Sequence, residues 1–446
     1  MKPLVLVTGP AATRSGYGAH TRDLVRALHK LDKFDIKINA LRWGNTPWNA
    51  LDVNNPEDKI IIDRILDNPN LDRQPDIHFQ VSIPNEFTPI AKYNIGVTAG
   101  LENTAPKPEW VEGMNRMDMN IVVSKFVKGV FDTVSYDKID NQTKQKTGEL
   151  KVSKPMEVLF EGADLNIYKQ TKEFSPELLD EINLIKERFA FLYVGHWLQG
   201  DLGQDRKDTG MMLKTFLETF KNKPNPPALI MKTSSATFSV IDRNSMLEKI
   251  ESIKLQVKGN LPPVYLLHGD LRDDEMNELY NHPKVKAMVN FTKGEGFGRP
   301  MLEMSMVGKP VIASDWSGHT DFLNKKLSVL LPGSLTPVHK SALPKDYLIE
   351  GAQWFTVNYQ YASKIMFDVF KNYKKYTFNA KKLAMGNRSK FSFDAMVRKL
   401  DEILTTYLPK FEQQPQRVDL KLPKLKKVSN KPKEPVKIKL PKLKKV

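Results

Sequence analysis

The chain has 446 residues, 40% of them hydrophobic, and its 68 basic and 52 acidic side chains give a formal net charge of +16. This length allows two or three domains with substantial cores, and the absence of cysteine excludes disulfides, catalytic thiols and thiolate metal sites. Because a chain without cysteine fits a reducing compartment, we expect a cytoplasmic location. No apolar run approaches the length of a membrane span, and the one at residues 4–7 is too short for a signal peptide.

The amino-terminal region is predicted to begin with a strand, a glycine loop and a helix. Residues 4–7 have a buried-strand pattern, Gly16 and Gly18 lie in the predicted loop, and Leu24 and Leu28 belong to the apolar face of the helix. The two glycines either let backbone amides approach a ligand or serve a tight turn. The residues alone favour neither interpretation.

A polar stretch and a basic pair mark the middle of the chain. Residues 137–155 are predicted to form an insertion or loop, ahead of a domain boundary near residues 166–184. Arg206 and Lys207 follow a strand predicted over residues 189–195 and precede a helix. Their charges could neutralise a diphosphate, although an isolated basic pair in a loop is usually only solvated.

Residues 285–314 carry the most informative pattern, which reads strand, loop, helix, strand. The apolar run at residues 285–291 predicts a buried strand, Gly296 and Gly298 fall in the loop, and Pro300 suits the first helical position. Glycine lets backbone N–H groups approach an anion closely, and a helix start turns its own unsatisfied N–H groups towards the same point. The pattern therefore indicates a site that would fit a diphosphate.

Two carboxylates flank this loop. Glu295 lies within it and Glu303 on the first turns of the helix, so each could accept hydrogen bonds from a different end of a bound sugar nucleotide. For a bare pair of glutamates, a loop residue and a favourable charge near a helix start would be the simpler interpretation.

The complete string resembles the signature of retaining glycosyltransferases of family 4. The likeness consists of Glu295, seven residues and Glu303, with Gly296, Phe297 and Gly298 between them, followed by the segment at residues 308–312. It implies that the Gly-Phe-Gly amides and Glu295 hold the donor sugar and phosphate, and that Glu303 binds the ribose hydroxyls.

The resemblance extends to the earlier motifs. Arg206 and Lys207 match the basic pair that neutralises the diphosphate leaving group, and with Glu295 they form the predicted catalytic set. The loop matching Gly16 and Gly18 is expected across the cleft from the donor phosphates. Transfer in this family is generally metal-independent, so we expect no metal and no permanently bound cofactor, with the nucleotide diphosphate sugar as co-substrate.

Four further residues are candidate contacts. Glu102 lies in an acceptor-side segment where many family members carry a histidine, and this chain has none there. Lys232, His268 and His319 each follow a predicted strand, at the sheet edge where open α/β sheets bind ligands. We therefore expect them near the donor pocket, with a surface location as the alternative for Lys232 and His319.

The resemblance implies an α/β protein of the GT-B type, with two facing, doubly wound Rossmann-like domains around a central cleft. The expected domains are residues 1–167 on the acceptor side, residues 168–410 for the nucleotide sugar with a final helix that crosses back, and a basic disordered tail at residues 411–446.

The carboxyl-terminal tail carries most of the excess charge. Residues 417–446 contain twelve basic and two acidic residues, so they supply +10 of the net +16. Such a segment would bind a polyanion with steep salt dependence. We expect double-stranded DNA as its partner, with an anionic membrane surface or a simply solvated tail as alternatives.

Residues 12–20 are similar to glycosyltransferases encoded by tailed bacteriophages, some of which modify viral DNA. This likeness favours transfer from a UDP-sugar to a hydroxymethylated pyrimidine in phage DNA, flipped out of the duplex, in the host cytoplasm. The alternatives are an acceptor on a surface glycan, lipid or protein, and a non-catalytic nucleic-acid-binding protein on a transferase scaffold.

Overall fold

The computed structural model describes residues 2–140, 142–235, 237–342, 349 and 351–411. Residues Lys2–Phe411 form one compact unit, so the domain boundary at residue 167 stays a prediction. From residue 412 onward, the predicted disordered tail lies outside the described residues.

The first half of this unit contains a parallel sheet with helices packed on it. Its elements in chain order are β1 Leu4–Gly9, α1 Gly16–Leu31, β2 Asp35–Ala40, α2 Pro56–Ile62, β3 Ile77–Val81, β4 Tyr93–Thr98, α3 Pro108–Arg116, β5 Met119–Val122, α4 Lys125–Thr133, β6 Tyr136–Ile139, β7 Lys146–Leu150 and β8 Met156–Val158, with a short 3-10 helix at Pro84–Glu86. Six parallel strands form the sheet in the order β2-β1-β3-β4-β5-β8. Strands β1, β3 and β5 are buried throughout, which explains the apolar run at residues 4–7, although β3 and β5 also bury His78, Gln80 and Asn120.

The second half repeats this plan. Its elements are α5 Pro176–Asn183, β9 Ala190–Val194, α6 Thr209–Phe220, β10 Ala228–Lys232, α7 Val240–Lys254, β11 Val264–Leu267, α8 Asp273–Asn281, β12 Val285–Asn290, α9 Arg299–Met306, β13 Val311–Ser314, β14 Val329–Leu331, β15 Gly333–Pro337, β16 Gln353–Val357, α10 Tyr359–Lys371, α11 Tyr373–Lys390 and α12 Phe393–Tyr407, with a 3-10 helix at Gly318–Asp321. Six strands are again parallel, in the order β11-β10-β9-β12-β13-β14, while β15 and β16 form an antiparallel pair.

The last helix packs against the first half. Helix α12 contacts α1, and Met396 and Leu400 share a core with Leu24 and Val5. The chain is held where it crosses, because the Ala163 amide donates to the Phe391 carbonyl at 2.9 Å. A parallel pair of backbone hydrogen bonds at this point ties the end of the first half to the start of α12.

Two predicted loops are partly regular structure. Helix α1 begins at Gly16, so Gly16 and Gly18 lie in its first turn and not in a preceding loop, because the Ser15 hydroxyl caps the helix by accepting from the Gly18 amide at 2.9 Å. The polar residues 137–155 contain most of the hairpin β6–β7. Its strands are exposed apart from the half-buried Tyr136 and Gly148 and the buried Leu150, so they lack the alternation that identifies a strand in sequence.

Candidate active site

The carboxyl edges of the two sheets face each other. The Lys125 amide, at the first residue of α4, donates to Asp321 beyond β13 at 2.9 Å. The loop after β4 contacts the end of β15–β16, where Thr104 and Gln353 exchange two hydrogen bonds of 2.9 Å. Ligand sites of open α/β sheets lie at such edges, so these contacts define the candidate cleft.

The glycine loop between β12 and α9 fits tightly against the first half. A Cβ on Gly294 would lie 1.9 Å from the Glu102 carbonyl oxygen, and one on Gly296 would lie 2.1 Å from the Ala99 carbonyl oxygen. Gly298 has φ +94°, a left-handed conformation that favours glycine, and it immediately precedes α9. Phe297 is buried and packs on Phe322 with ring centroids 5.1 Å apart. Three glycines are therefore needed for close approach and for the turn, while Phe297 anchors the loop.

Glu295 is brought together with both predicted cations. Lys207 Nζ contacts Glu295 Oε1, and Arg206 Nη1 lies 3.4 Å from Oε2. Arg206 also donates to the Gly294 carbonyl at 2.8 Å and lies 3.6 Å from the Glu102 carboxylate. Burial alone would raise the pKa of the Glu295 carboxyl, but Lys207 and Arg206 outweigh burial and lower this pKa to about 2. Glu295 is thus a fixed anion at neutral pH, held between two positive side chains.

A buried network of Lys293, Asp208 and Tyr359 lies next to the basic pair. Lys293 and Asp208 are 1% and 0% exposed, and Lys293 Nζ lies 3.5 Å from Asp208 Oδ2. The Tyr359 hydroxyl donates to the same carboxylate at 2.7 Å, and the Lys293 amide donates to the Arg206 carbonyl at 2.7 Å. Burial lowers the pKa of Lys293 and raises that of Asp208, with each partner opposing the shift of the other. The loop that carries Arg206 is therefore fastened to the strand end that carries the glycines.

Sequence reasoning missed this network. Lys293 directly precedes the glycine loop and Asp208 directly follows the basic pair, so both lie beside recognised motifs. A lysine between a buried strand and a glycine loop is a usable signal, because lysine is almost never fully buried unless it is paired. The identity of its partner depends on the fold.

Glu303 is engaged by two donors. Its Oε2 accepts from the Tyr280 hydroxyl at 2.9 Å and its Oε1 from Arg299 Nε at 3.0 Å. Arg299 also pairs with Asp23 of α1, so one guanidinium joins the two halves. Burial raises the pKa of the Glu303 carboxyl to about 7, in opposition to Arg299. Both oxygens of the Glu303 carboxylate therefore already accept a hydrogen bond from the protein. The contact between Glu303 and a ribose stays a prediction.

Two further buried groups near Arg299 were not predicted. Glu161 follows β8, and burial raises its pKa to about 8 although Arg299 opposes the shift. His20 of α1 is fully buried, and neither ring nitrogen has a hydrogen-bond partner among the described residues. Burial lowers the pKa of His20 to about 4, so the ring is neutral at physiological pH. The Arg299 charge acts on the pKa of both groups, and Glu295 of the glycine loop adds to the shift of Glu161.

Two of the remaining candidates lie at strand ends, since Lys232 ends β10 and His268 directly follows β11, while His319 lies in the 3-10 helix after β13. Lys232 donates to the Gly269 carbonyl at 2.7 Å, and burial lowers the pKa of its ammonium group. His268 pairs with Asp242 at 2.8 Å, with both side chains buried. His319 is fully buried rather than at the surface, and its Nε2 lies 2.7 Å from the Ser314 carbonyl oxygen.

The glycines of α1 differ from each other. A Cβ on Gly18 would lie 2.4 Å from the Thr13 carbonyl oxygen, whereas one on Gly16 would meet nothing within 4 Å. Between them, the Tyr17 hydroxyl lies 2.9 Å from Thr98 Oγ1 at the end of β4. Gly18 is therefore required by packing, while the space beside Gly16 is open.

Within the described part of the chain, no group of three or more His, Asp or Glu side chains is placed to hold a metal ion. The search for membrane-spanning helices over the same residues also finds none that is long and apolar enough.

The fold is similar to those of several solved enzymes. HepE of Anabaena, solved in complex with UDP-glucose, is 12% identical, with a TM-score of 0.58 over 91% of this chain and 100% of that one. A glycosyltransferase from Rickettsia africae is 15% identical, with a TM-score of 0.59 over 91% and 99% of the two chains. Sucrose-phosphate synthase from Thermosynechococcus elongatus is 13% identical, with a TM-score of 0.57 over 91% and 99%. No family model matches the chain, and no curated protein matches it in sequence.

At these identities the likeness shows the fold. The chain has the α/β GT-B architecture of glycosyltransferases, with two parallel six-stranded sheets, and the fold class predicted from the sequence is confirmed. Because one fold can host several activities, the chemistry has to be argued from the residues in the cleft.

Proposed function

We propose that the chain is a retaining glycosyltransferase of the family 4 type, which moves a sugar from a nucleotide diphosphate sugar to an acceptor hydroxyl. The observation that carries this proposal is the contact of Arg206 and Lys207 with Glu295 beside the start of α9. Two half-buried cations, an anion between them and a glycine loop at a helix start are the groups that a sugar diphosphate needs.

The donor diphosphate would replace Glu295 as the partner of Arg206 and Lys207. When the donor enters, its phosphate oxygens take over the N–H groups of Arg206 and Lys207, because a diphosphate carries more charge than one carboxylate. Glu295, released from the two cations, can then exchange hydrogen bonds with the hydroxyls of the donor sugar. The α9 amino terminus and the glycine-loop amides add stabilisation as negative charge develops on the leaving phosphate.

The chemical step would take place on one face of the sugar. The bond from the anomeric carbon to the phosphate oxygen breaks, the acceptor oxygen bonds to the same carbon from the same face, and the acceptor proton goes to the leaving phosphate. Arg206 and Lys207 lower the barrier by neutralising that phosphate. No side chain is nominated as a covalent nucleophile.

A uridine carrier is the favoured donor. HepE, whose fold is similar, was solved with UDP-glucose, with UDP, and with UDP and glucose. The donor-side contacts proposed here are Gly296, Phe297, Gly298 and Glu303, with Lys232, His268 and His319 nearby.

For the acceptor, we propose a hydroxymethylated pyrimidine in phage DNA. The net charge of +10 in residues 417–446 supports a polyanionic partner, and the likeness of residues 12–20 to phage-encoded enzymes supports DNA. Glu102 and the open space beside Gly16 are on the acceptor side of this proposal. A lipid acceptor is the second candidate, supported by the exposed Phe378 and Met385 on α11, a helix with six basic and no acidic residues.

The test combines a donor panel with an acceptor panel. The protein is incubated with UDP- and GDP-sugars and with hydroxymethylated DNA, unmodified DNA, glycans or lipids, and products are identified by mass spectrometry and by the anomeric coupling constant in NMR. A sugar attached with retained configuration supports the transferase proposal. A product on glycan or lipid but not on DNA would refute only the proposed DNA acceptor. The absence of both product and UDP binding would refute the proposed donor site.

A further inference from the structure

Helix α11 carries charge of one sign. Its eighteen residues include six basic side chains and no acidic one, at Lys374, Lys375, Lys381, Lys382, Arg388 and Lys390. The first four lysines are exposed, and none of them forms an ion pair with another described residue. Most surface helices mix both signs, so α11 forms a strongly cationic strip.

Two large apolar side chains occupy the centre of that strip. Phe378 is 61% exposed and Met385 is 75% exposed. They lie seven residues apart, which is about two helical turns and places them on the same line along the helix. By the same geometry Lys374 and Lys381 lie to one side of this line, and Lys375 and Lys382 to the other; Lys382 Nζ lies 4.4 Å from the Phe378 ring centroid.

The opposite face of α11 is fixed to the interior. Ala380, Leu383 and Ala384 are buried, and Asn387 Nδ2 donates to Ser305 Oγ of α9 at 2.8 Å. Phe378 and Met385 are thus held outward by a well-packed helix. They are not exposed by fraying of the chain.

A basic cavity opens beside the amino-terminal half of the helix. Its volume is about 330 Å³, and Lys381, Lys172, Lys309, Tyr373 and Thr377 are among its lining residues. The Lys309 ammonium group already donates hydrogen bonds to the carbonyls of His282 and Val285. Lys381 lines the cavity and also belongs to the exposed strip. A phosphate group would find positive charge at this point.

We propose that the outward face of α11, formed by Phe378, Met385 and the flanking lysines 374, 375, 381 and 382, docks the protein onto an anionic lipid surface. Lysines reach the headgroup phosphates while the central phenylalanine and methionine enter the boundary with the acyl chains. The helix lies flat on such a surface and does not cross it.

The combination of lysines and apolar side chains on α11 favours a lipid surface over a DNA duplex or the tail as the partner. A DNA duplex contacts a protein mainly through its phosphates. Phe378 and Met385, at the centre of the strip, would face these phosphates without a favourable contact. Residues 417–446 have the same sign of charge as α11, so they do not complement it. An anionic lipid surface offers both the charge and the apolar layer. The proposal is independent of the proposed transferase activity.

The test is flotation of the full-length protein with phosphatidylcholine vesicles, with or without phosphatidylglycerol. Phe378→Ser combined with Met385→Ser leaves the net charge unchanged, and we expect it to weaken binding to anionic vesicles about 10-fold. Replacing the four lysines by glutamine should weaken binding by a similar factor or more and remove its dependence on phosphatidylglycerol. Circular dichroism and the melting temperature confirm that each variant is folded.

The matched control is Leu184→Ser combined with Leu255→Ser, two apolar residues that are similarly exposed elsewhere. This variant should bind vesicles like the unchanged protein. Equal vesicle binding by the Phe378/Met385 variant and the unchanged protein would overturn the proposal. Lysine variants that lose affinity for duplex DNA but keep full affinity for vesicles would overturn it as well, and would assign the face to nucleic acid.

Discussion

Arg14 Nε lies 3.0 Å from Asp270 Oδ2 in an ion pair that joins the loop after β1 to the end of β11, across the cleft between the two sheets. The two groups are close but not aligned for a hydrogen bond, since Arg14 Nε has no such partner among the described residues. The contact belongs to the set that holds the two sheet edges together around the candidate site.

Asp270→Asn tests this contact. The variant keeps the shape of the side chain but removes its charge, so closure over the donor should be less favourable. We expect KM for the donor to rise by about 3- to 10-fold with a smaller change in kcat, the size typical of a partly exposed pair. The effect should vanish at high salt, where the pair is screened. A change confined to kcat would contradict a role in closure.

Glu295→Gln separates stability from donor binding. Removing the carboxylate leaves Arg206 and Lys207 without their counter-charge, so the free energy of unfolding should fall by about 3 kcal/mol. Transfer should fall by ~10²-fold or more, because the sugar loses its fixed acceptor. UDP should nevertheless raise the melting temperature more in the variant, since the diphosphate no longer competes with Glu295 for the cations.

The exposed Glu248→Gln serves as the control for loss of one charge. It should leave melting temperature, UDP response and transfer unchanged. A smaller UDP response in Glu295→Gln than in the unchanged protein would show that Glu295 does not compete with the phosphate.

Glu161 should make stability depend on pH. Burial raises its pKa to about 8, while Arg299 opposes the shift and Asp23, Glu303 and Glu295 add to it. Because the folded protein holds this proton to a higher pH than the unfolded chain does, the stability from Glu161 falls as pH rises from the ordinary value of 4.5 towards 8. Across this range the unchanged protein should lose on the order of 3 kcal/mol relative to Glu161→Gln.

Urea unfolding at several pH values between these limits measures the difference. Parallel curves for the two proteins would show that Glu161 is ionised in the folded state throughout.

The buried Lys293–Asp208 pair should affect turnover as well as folding. Lys293→Met leaves Asp208 as an uncompensated buried charge and should reduce the free energy of unfolding by about 3–5 kcal/mol. The double variant with Asp208→Asn removes both charges and should recover much of the stability. We expect kcat to stay about 10-fold low in the double variant, because Arg206 is less well placed. Full turnover in that stable double variant would limit the network to a structural role.

Removal of residues 417–446 should act on DNA binding and not on the donor site. The deletion takes away a net charge of +10, so the slope of log affinity against log salt should fall by roughly 5–10 units if most of these cations contact phosphates. UDP binding should be unchanged. A variant of full length with glutamine in place of the tail's basic residues is the control for chain length, and it should behave like the deletion.

The sequence predicted the elements that depend on local patterns. The strand, loop, helix and strand of residues 285–314 are present as β12 Val285–Asn290, α9 Arg299–Met306 and β13 Val311–Ser314, because apolar runs, glycines and Pro300 act over a few residues. The hairpin β6–β7 was missed because exposed strands need not alternate. The strands predicted over residues 189–195 and 285–291 are present as β9 Ala190–Val194 and β12 Val285–Asn290.

Contacts between residues of the site could be predicted less well from the sequence. Lys207 and Glu295 are 88 positions apart, and the family resemblance placed both at the donor without indicating that they contact each other. The partner of Lys293 and the burial of His20 and Glu161 depend on how the two halves pack, which no local pattern records. The roles of the predicted site residues in binding and catalysis stay predictions until the variants are measured.

The position of Arg299 has a consequence for cleft opening. One guanidinium is shared between Asp23 in the first half and Glu303 in the second, and the Glu303 carboxyl has a pKa of about 7. If the halves separated, Arg299 would lose Asp23 and its charge would act on Glu303 alone, which favours the ionised carboxylate. Domain opening would then release protons at neutral pH, so the heat of donor binding should differ between buffers of different ionisation enthalpy.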